Sequence, residues 1–431
     1  MSGELATWLG AATPNGGPAW LGAWRADARE RASALGVPGS KQEAWRYTNP
    51  RRLFEQAFDE GAAVLAAEAL APLLVEGLEA DRVVLVNGRY APEHGRLGAL
   101  PEGVRIDSLA RLLAEDPEAV RPHLGALADD PAALFPALNA AGGADGLVLL
   151  LAPGARLERP LELLHVTTGE RPTLAQPRHL IVLGEGAEAR LVERYVGAEP
   201  SIAHATNAVL EIDLAAEARL DHERIQHESA ESFHLSTLYL RQQARSRYQG
   251  LDIGLGGRWA RTDINTRFAG PGAECALHGL YLSGDGQLID YHLDVDHAVP
   301  DCTSVELFKG ILYGQGRAVF DGRVFVAQDA QRTDAAMSNR NLMLSERAEI
   351  DTKPQLEINA DDVKCSHGTT VGQIDPQMLF YLRARGIPEA SARRMLCLGF
   401  AEEIIGRLGD EALRAEIAAL VGDRLEAAPL D

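Results

Sequence analysis

Between about Gly146 and Ile374 the chain consists of short alternating apolar runs punctuated by Gly, Asp and Asn. Examples are Leu180-Ile181-Val182-Leu183, Ala208-Val209-Leu210-Glu211-Ile212 and Val319-Phe320-Asp321-Gly322-Arg323-Val324-Phe325-Val326. Alternation with period two is the pattern of strands. No stretch of ten or more helix-periodic residues separates them, which argues against a doubly wound parallel sheet. The run also echoes itself. Ala187-Glu188-Ala189-Arg190-Leu191 returns as Ala216-Glu217-Ala218-Arg219-Leu220, and more loosely as Ala273-Glu274-Cys275-Ala276-Leu277. A repeat of about 20–30 residues made of strands points to a β-solenoid, in which each coil buries its face on the next. An antiparallel sandwich or barrel is the alternative.

Helical patterns flank this zone. Residues 1–143 are Ala-rich, with apolar spacing over Arg105–Leu127 and Pro131–Ala141 that predicts helices. Val83–Tyr90 interrupts them as a strand and turn. The expected division is a mostly helical N-terminal region (1–143), a β-solenoid core (144–374) and a helical C-terminal domain (375–431). Asp375-Pro376 is a helix-start pair, and Pro388 opens a second helix. That helix carries Met395, Leu398, Ile405 and Leu408 in one stripe, with Leu396, Phe400 and Ile404 beside it. Such wide stripes suit either an internal core or a partner protein.

Composition excludes several classes. A formal net charge of −20 opposes nonspecific affinity for nucleic acid or anionic membrane. The longest apolar run, Gly146–Ala152, is far too short to span a bilayer. The start, MSGELATWLG, lacks a basic segment and a secretory apolar stretch, so a cytoplasmic protein is expected. The four cysteines form no C-x-x-C, and Cys275, Cys302 and Cys397 read as small buried apolar residues.

Nucleotide-binding and hydrolase motifs are absent. There is no G-x-x-x-x-G-K-[ST], G-x-S-x-G or H-E-x-x-H, and the Gly pairs 184/186, 284/286 and 314/316 read as turns. In an extended Asp290–His297, the side chains of Asp290, His292, Asp294 and Asp296 share one face and His297 takes the other. That face could hold a cation, or belong to a β-helical enzyme acting on a polysaccharide, or simply be solvated. His222 and His227 read as surface or hydrogen-bonded core histidines. Cys365 and His367 are two apart, so in a strand they share a face and make half of a soft-metal site. Lys364 could help stabilise a thiolate there. Two ligands from one chain imply distant ligands, a second copy of the chain, or a site shared with another subunit.

The segment Asp361-Asp362-Val363-Lys364-Cys365-Ser366-His367-Gly368-Thr369-Thr370-Val371-Gly372 resembles the C-terminal signature of the SufB/SufD family of iron–sulfur cluster assembly proteins. The likeness continues through Phe308-Lys309-Gly310, Phe320-Asp321-Gly322-Arg323, Asn339-Arg340-Asn341-Leu342, Pro354–Ile358, Leu379–Ile387 and Gly399–Glu403, and through Lys41–Thr48 near the start. Cys-Ser-His-Gly and the lack of clustered N-terminal cysteines place it closer to the SufD branch. The resemblance implies a right-handed parallel β-helix between helical ends. It implies a scaffold without catalytic activity, in a complex with SufB and two copies of the ATPase SufC, with ATP hydrolysed by SufC. A transient Fe–S cluster is expected at the SufB interface, with His367 contributing and Cys365 close by. SufC is expected on the C-terminal helices, through Met395, Leu398, Phe400, Ile404 and Ile405. Reduced flavin is associated with such complexes, at no site assignable to this chain. The alternatives are a stand-alone cytosolic β-helical carbohydrate-active enzyme, or a homodimeric metal-binding protein completed by a second copy.

Overall fold

The computed structural model describes Leu5, Trp8, Leu9 and residues 18–59, 61, 62 and 64–428. Its strands are β1 (Asp81–Val86), β2 (Arg89–Tyr90), β3 (Val104–Ser108), β4 (Leu147–Leu151), β5 (Leu161–Thr167), β6 (Leu174–Ala175), β7 (Arg178–Leu183), β8 (Glu188–Gly197), β9 (Ala205–Leu214) and β10 (Arg219–His227). They continue as β11 (Phe233–Gln242), β12 (Arg247–Gly254), β13 (Trp259–Phe268), β14 (Glu274–Ser283), β15 (Leu288–His297), β16 (Thr303–Leu312), β17 (Arg317–Val326), β18 (Asp334–Met343), β19 (Glu349–Ile358) and β20 (Lys364–Gly372). Two sheets alternate along the chain. One runs β2-β1-β5-β8-β10-β12-β14-β16-β18-β20, the other β19-β17-β15-β13-β11-β9-β7-β4-β3. From β5 and β7 onward every rung is parallel, giving a β-solenoid of about 8 turns.

The register explains the echo. Leu220, Tyr248, Cys275, Ser304, Ala335 and Cys365 stack in one column, so successive coils advance by 28, 27, 29, 31 and 30 residues. Ala189 pairs with Leu220, whereas the repeated pentapeptide aligns Leu191 with Leu220. The pentapeptide is thus displaced from the true register by two residues. An offset of two keeps each side chain on its own face, so the pattern survives the slip. A residue with φ near +60° turns one corner of successive coils: Gly186 at 65°, Glu217 at 61°, Arg245 at 57°, Asp301 at 64° and Arg332 at 60°. At the non-glycine positions the corners are tied between coils by Glu217–Arg245 and Asp301–Arg332 ion pairs.

The two ends of the solenoid differ. At the N-terminal end β2 folds antiparallel onto β1, and β3 antiparallel onto β4, which closes the first coil. Val83–Tyr90 is therefore a hairpin built into the solenoid wall. Arg105–Ser108, which helical spacing had assigned to a helix, is strand. The helix begins only at Leu109, where Ser108 caps it. The helices α1 (Ala19–Leu35), α2 (Arg51–Glu55), α3 (Ala67–Leu70), α4 (Leu109–Glu115), α5 (Pro117–Val120) and α6 (Leu134–Gly142) surround that end. At the other end β19 and β20 each have one unpaired edge, and nothing among the described residues caps them.

Three helices follow: α7 (Pro376–Arg383), α8 (Glu389–Ile405) and α9 (Glu411–Ala427). Asp375 accepts the Gln377 N–H at 2.8 Å and Asp410 the Leu413 N–H at 3.0 Å, so α7 and α9 start on side-chain caps. Helices α8 and α9 lay Cys397, Ala401, Ile404, Ile405, Ile417 and Val421 on the outer face of the first sheet, against Ile253, Leu280, Leu282, Ile311 and Leu342. No helix among the described residues is long and apolar enough to cross a membrane.

Burial holds several histidines neutral. His179, His227, His278 and His297 are each pushed from an ordinary value of 6.5 down to about 4, chiefly by desolvation. The unfolded chain takes up these protons from about pH 6.5 downward, and the folded chain does so only near pH 4. The contribution of these histidines to stability is therefore present above 6.5 and lost as pH falls through this window. The urea midpoint is predicted to drop measurably between pH 7 and pH 5.5, above the carboxylate range. An unchanged midpoint across that interval refutes the assignment.

Candidate functional site

Cys365 and His367 lie on β20, the terminal rung. Cys365 ends the column Leu220–Tyr248–Cys275–Ser304–Ala335, and His367 ends the column His222–Gly250–Leu277–Glu306–Met337. In every earlier coil these positions point inward and are covered by the next rung. On β20 no further rung exists, so His367 is exposed and Cys365 only half-buried. The shared face read from their spacing is thus the solenoid's own interior face, laid open at its end.

The edges of the two last strands are unequal. β19 carries Pro354 at its middle and Glu349, Asp351, Lys353 and Glu357 along its length, features that discourage pairing. β20 has a single charged residue, Lys364, at its start. Val371 at its far end is 50% exposed. Such an edge is open to another strand. The thiol does not behave as Lys364 alone would suggest. Burial, followed by the Asp334 carboxylate, pushes Cys365 above its ordinary value, and Glu306 adds to this. In the isolated chain it is a thiol, and a bound cation must displace its proton.

The signature residues upstream are mostly architectural. A Cβ on Gly310 would lie 2.3 Å from the Tyr281 ring, and one on Gly322 2.5 Å from the Met337 sulfur, so these glycines make room for their neighbours. Asn339 donates to the Tyr281 hydroxyl at 3.1 Å, Tyr281 donates to Asn341 at 2.6 Å, and Asn341 donates back to Asn339 at 2.6 Å. The N-terminal motif straps the second sheet. Thr48 donates to Asp290 at 2.6 Å, Arg261 donates to the Ala44 carbonyl at 2.7 Å and lies 4.1 Å over the Trp45 ring.

Other candidates are accounted for within the chain. Asp290, His292, Asp294 and Asp296 share an outward face, while His297 points inward. Asp290 is sealed from solvent by Thr48, Arg261 and His292, Asp294 pairs with Arg323, and Asp296 with Arg267. Each carboxylate thus lies beside a cation, and burial nonetheless pushes Asp294 and Asp296 above their ordinary values. His222 is a core histidine between Glu193 (3.0 Å) and the Tyr248 hydroxyl (3.0 Å), and His227 is half-buried. Cys275, Cys302 and Cys397 are buried.

One buried trio, His165, His179 and Glu193, brings three ligand-type atoms within 4.8 Å of one another. It does not fit a metal ion. The Leu147 N–H donates into His179 Nδ1 at 2.9 Å, so that ring's proton sits on Nε2 and no lone pair remains there. Glu193 already receives the Tyr195 hydroxyl at 2.5 Å and His222 at 3.0 Å, with the Arg224 guanidinium at 3.6 Å. Burial opposes its charge, but His222 and Arg224 outweigh that and hold it ionised well below the usual range.

The five residues expected to meet an ATPase divide. Ile404 and Ile405 are 0% and 1% exposed, locked in the seam between α8 and the solenoid, which corrects their assignment to a docking surface. Leu398 and Phe400 are half-buried against the same seam. Met395 is exposed, and with it Met378, Phe380 and Tyr381 of α7, Phe380 at 73%. The stripe in the sequence was wide because α8 faces the solenoid with one side and leaves another open.

The fold is thus a parallel β-solenoid uncapped at one end, with an imidazole and a thiol, two side chains able to ligate a soft metal, on its last rung. Residues 14–163 match the model for the SufBD protein N-terminal region, and residues 165–400 that for the SUF system FeS cluster assembly SufBD core domain. The iron–sulfur cluster assembly protein SufD of Escherichia coli is 34% identical over 399 residues, 90% of this chain and 90% of that protein. An iron–sulfur cluster assembly SufBD family protein of Synechocystis is 31% identical over 93% of this chain and 90% of its own length. Protein ABCI7 of Arabidopsis thaliana, chloroplastic, is 30% identical over 88% and 80%. The chain belongs to the SufB/SufD family of iron–sulfur cluster assembly proteins, on its SufD side.

One residue near the site was invisible to pattern reading. Glu306 is fully buried two rungs behind His367, next to the Ser304 hydroxyl but with neither carboxylate oxygen in a well-formed hydrogen bond. Desolvation pushes it from 4.5 up to about 8. The folded chain therefore holds a proton that the unfolded chain releases. Stability is fully present below pH 4.5 and declines as pH rises toward 8, by about 1.4 kcal/mol for each pH step of one. Glu306→Gln is predicted to raise the melting temperature at pH 8 and to leave it near the wild-type value at pH 5. Equal melting temperatures at pH 8 refute a buried, raised Glu306.

Proposed function

We propose that this chain is a non-catalytic, cytosolic scaffold subunit of the SUF machinery. It pairs with SufB through the open edge of β20, and a nascent iron–sulfur cluster is built across the shared interface. The observation that carries this reading is the uncapped rung bearing His367 and Cys365 on a strand edge that has no charge or proline beyond Lys364. A soft-metal site takes four ligands, and this rung offers two, so the partner supplies the remainder. Iron and sulfide are the substrates, and the finished cluster leaves for a recipient protein.

His367 is the primary ligand because its imidazole is exposed at the open end of the last rung, whereas the Cys365 thiol is half-buried. Its second ring nitrogen needs a hydrogen-bond partner to fix the tautomer, which the facing subunit is placed to provide. Cys365 ligates only once iron displaces its proton. ATP is hydrolysed by SufC, which docks on the exposed apolar face of Met378, Phe380, Tyr381 and Met395, with Leu398 and Phe400 at its margin. Reduced flavin, where the assembled complex carries it, is assigned no site here.

Co-expression with SufB and SufC, followed by anaerobic iron and sulfide quantification, tests the ligand roles. His367→Ala is predicted to lose most of the bound iron and sulfide from an intact complex, and Cys365→Ala to lose less. A normal cluster yield from His367→Ala sinks its ligand role. Truncation after Asp375 is predicted to release SufC and keep SufB, and retained SufC refutes the docking assignment. Recovery of the chain only as a homodimer in the presence of SufB favours a second copy at the β20 edge.

A further inference from the structure

The seam between α8 and the solenoid is mainly apolar, with an ionic contact at Lys309. The outward column Ile225–Ile253–Leu280 continues into Lys309 on β16, Arg340 on β18 and Thr370 on β20. Lys309 is 4% exposed. Its ammonium lies 2.8 Å from Glu403 Oε2 and 3.9 Å above the Phe400 ring, both on α8. The same Glu403 oxygen is 3.6 Å from Arg340. One carboxylate thus bridges α8 to β16 and β18, the two rungs on which β20 rests.

We propose that Glu403 is a releasable clasp, through which the seating of the C-terminal helices controls how firmly the rung carrying Cys365 and His367 is held. Over β10, β12 and β14 the seat of α8 and α9 is built of apolar contacts, with the Gly409 N–H after α8 donating to Glu223 of β10 at 2.6 Å. At Lys309 the balance differs. A buried ammonium is tolerated only while its partners are present, and removing the 41% exposed Glu403 carboxylate leaves the buried Lys309 charge uncompensated. Pulling Glu403 away makes β16 and β18 seek water through Lys309, and this disturbs the support of β20. Helix movement of modest size becomes a change at the terminal rung, because the tie is ionic and close-ranged while the remaining seam is greasy and extended. The clasp is a property of this chain alone. Its meaning for cluster assembly rests on the role proposed above for β20.

Hydrogen exchange by mass spectrometry on the full, isolated chain tests it. In Glu403→Gln, amides of α8 and of residues 364–372 are expected to exchange faster by roughly tenfold or more, with those of β8 and β10 unchanged. The double variant Lys309→Met with Glu403→Leu replaces the ion pair by apolar contact and is expected to restore wild-type protection in both regions. The proposal is overturned if α8 loosens while residues 364–372 keep their protection, or if Glu403→Gln changes neither region. It is also overturned if the double variant stays as loose as the single one. None of these outcomes depends on whether His367 binds a cluster, so failure of the ligand role and failure of the clasp are told apart.

Discussion

Parallel strand pairing between successive coils is the interaction that holds every other part of the molecule in place. Each rung satisfies its backbone on both sides, and each inward side chain is covered by the next member of its column. A solenoid built this way has two ends where the rule fails. At the first coil the chain repairs the failure by folding β2 and β3 back antiparallel and surrounding them with helices. At the last coil it makes no repair. The candidate site follows from that asymmetry, since Cys365 and His367 occupy positions that are core elsewhere along the same columns.

The interior also shows what the family signature encodes. Gly310, Gly322, Asn339 and Asn341 shape or satisfy the core around Tyr281 and Met337. Lys309 and Glu403 tie the terminal helices to the wall. At the open end the last rung lays His367, Thr369 and Val371 open, with Cys365 half-buried beside them. Most of the upstream signature therefore specifies a frame that holds the last rung in position. Glu306 stands apart, because a buried carboxyl without a well-formed hydrogen bond lowers stability at neutral pH and nothing in the packing of the coil requires it.

Legibility in the sequence tracked the range of the interaction responsible. The Ala187–Leu191 echo revealed coils because the alternation of faces is local. It missed the register by two residues because register is set by pairing with a distant strand. Arg105–Ser108 read as helix because its apolar spacing suits both periods, and β4, over 40 residues later, decided for strand. The α8 stripe could not separate Ile404 and Ile405 from Met395, since only the placement of the solenoid wall distinguishes a seam from a surface. Lys309 and Glu403 lie far apart in the chain, and no local pattern marks them as partners.

Local pattern was enough to establish the repeating strands, the helical ends, the capped start of α7, and a thiol and an imidazole on one face of an extended segment. Each depends on side-chain periodicity or on contacts within a few residues. The folded chain was needed to show that this face is the inside of a solenoid opened at its last rung. It was needed as well to show that the Asp290 face is already neutralised by arginines, that the His165 trio is closed to a metal, and that the terminal helices are clasped to the rungs beneath the site. Those depend on which distant columns and side chains come into register, and that is fixed by how the coils stack rather than by any segment alone.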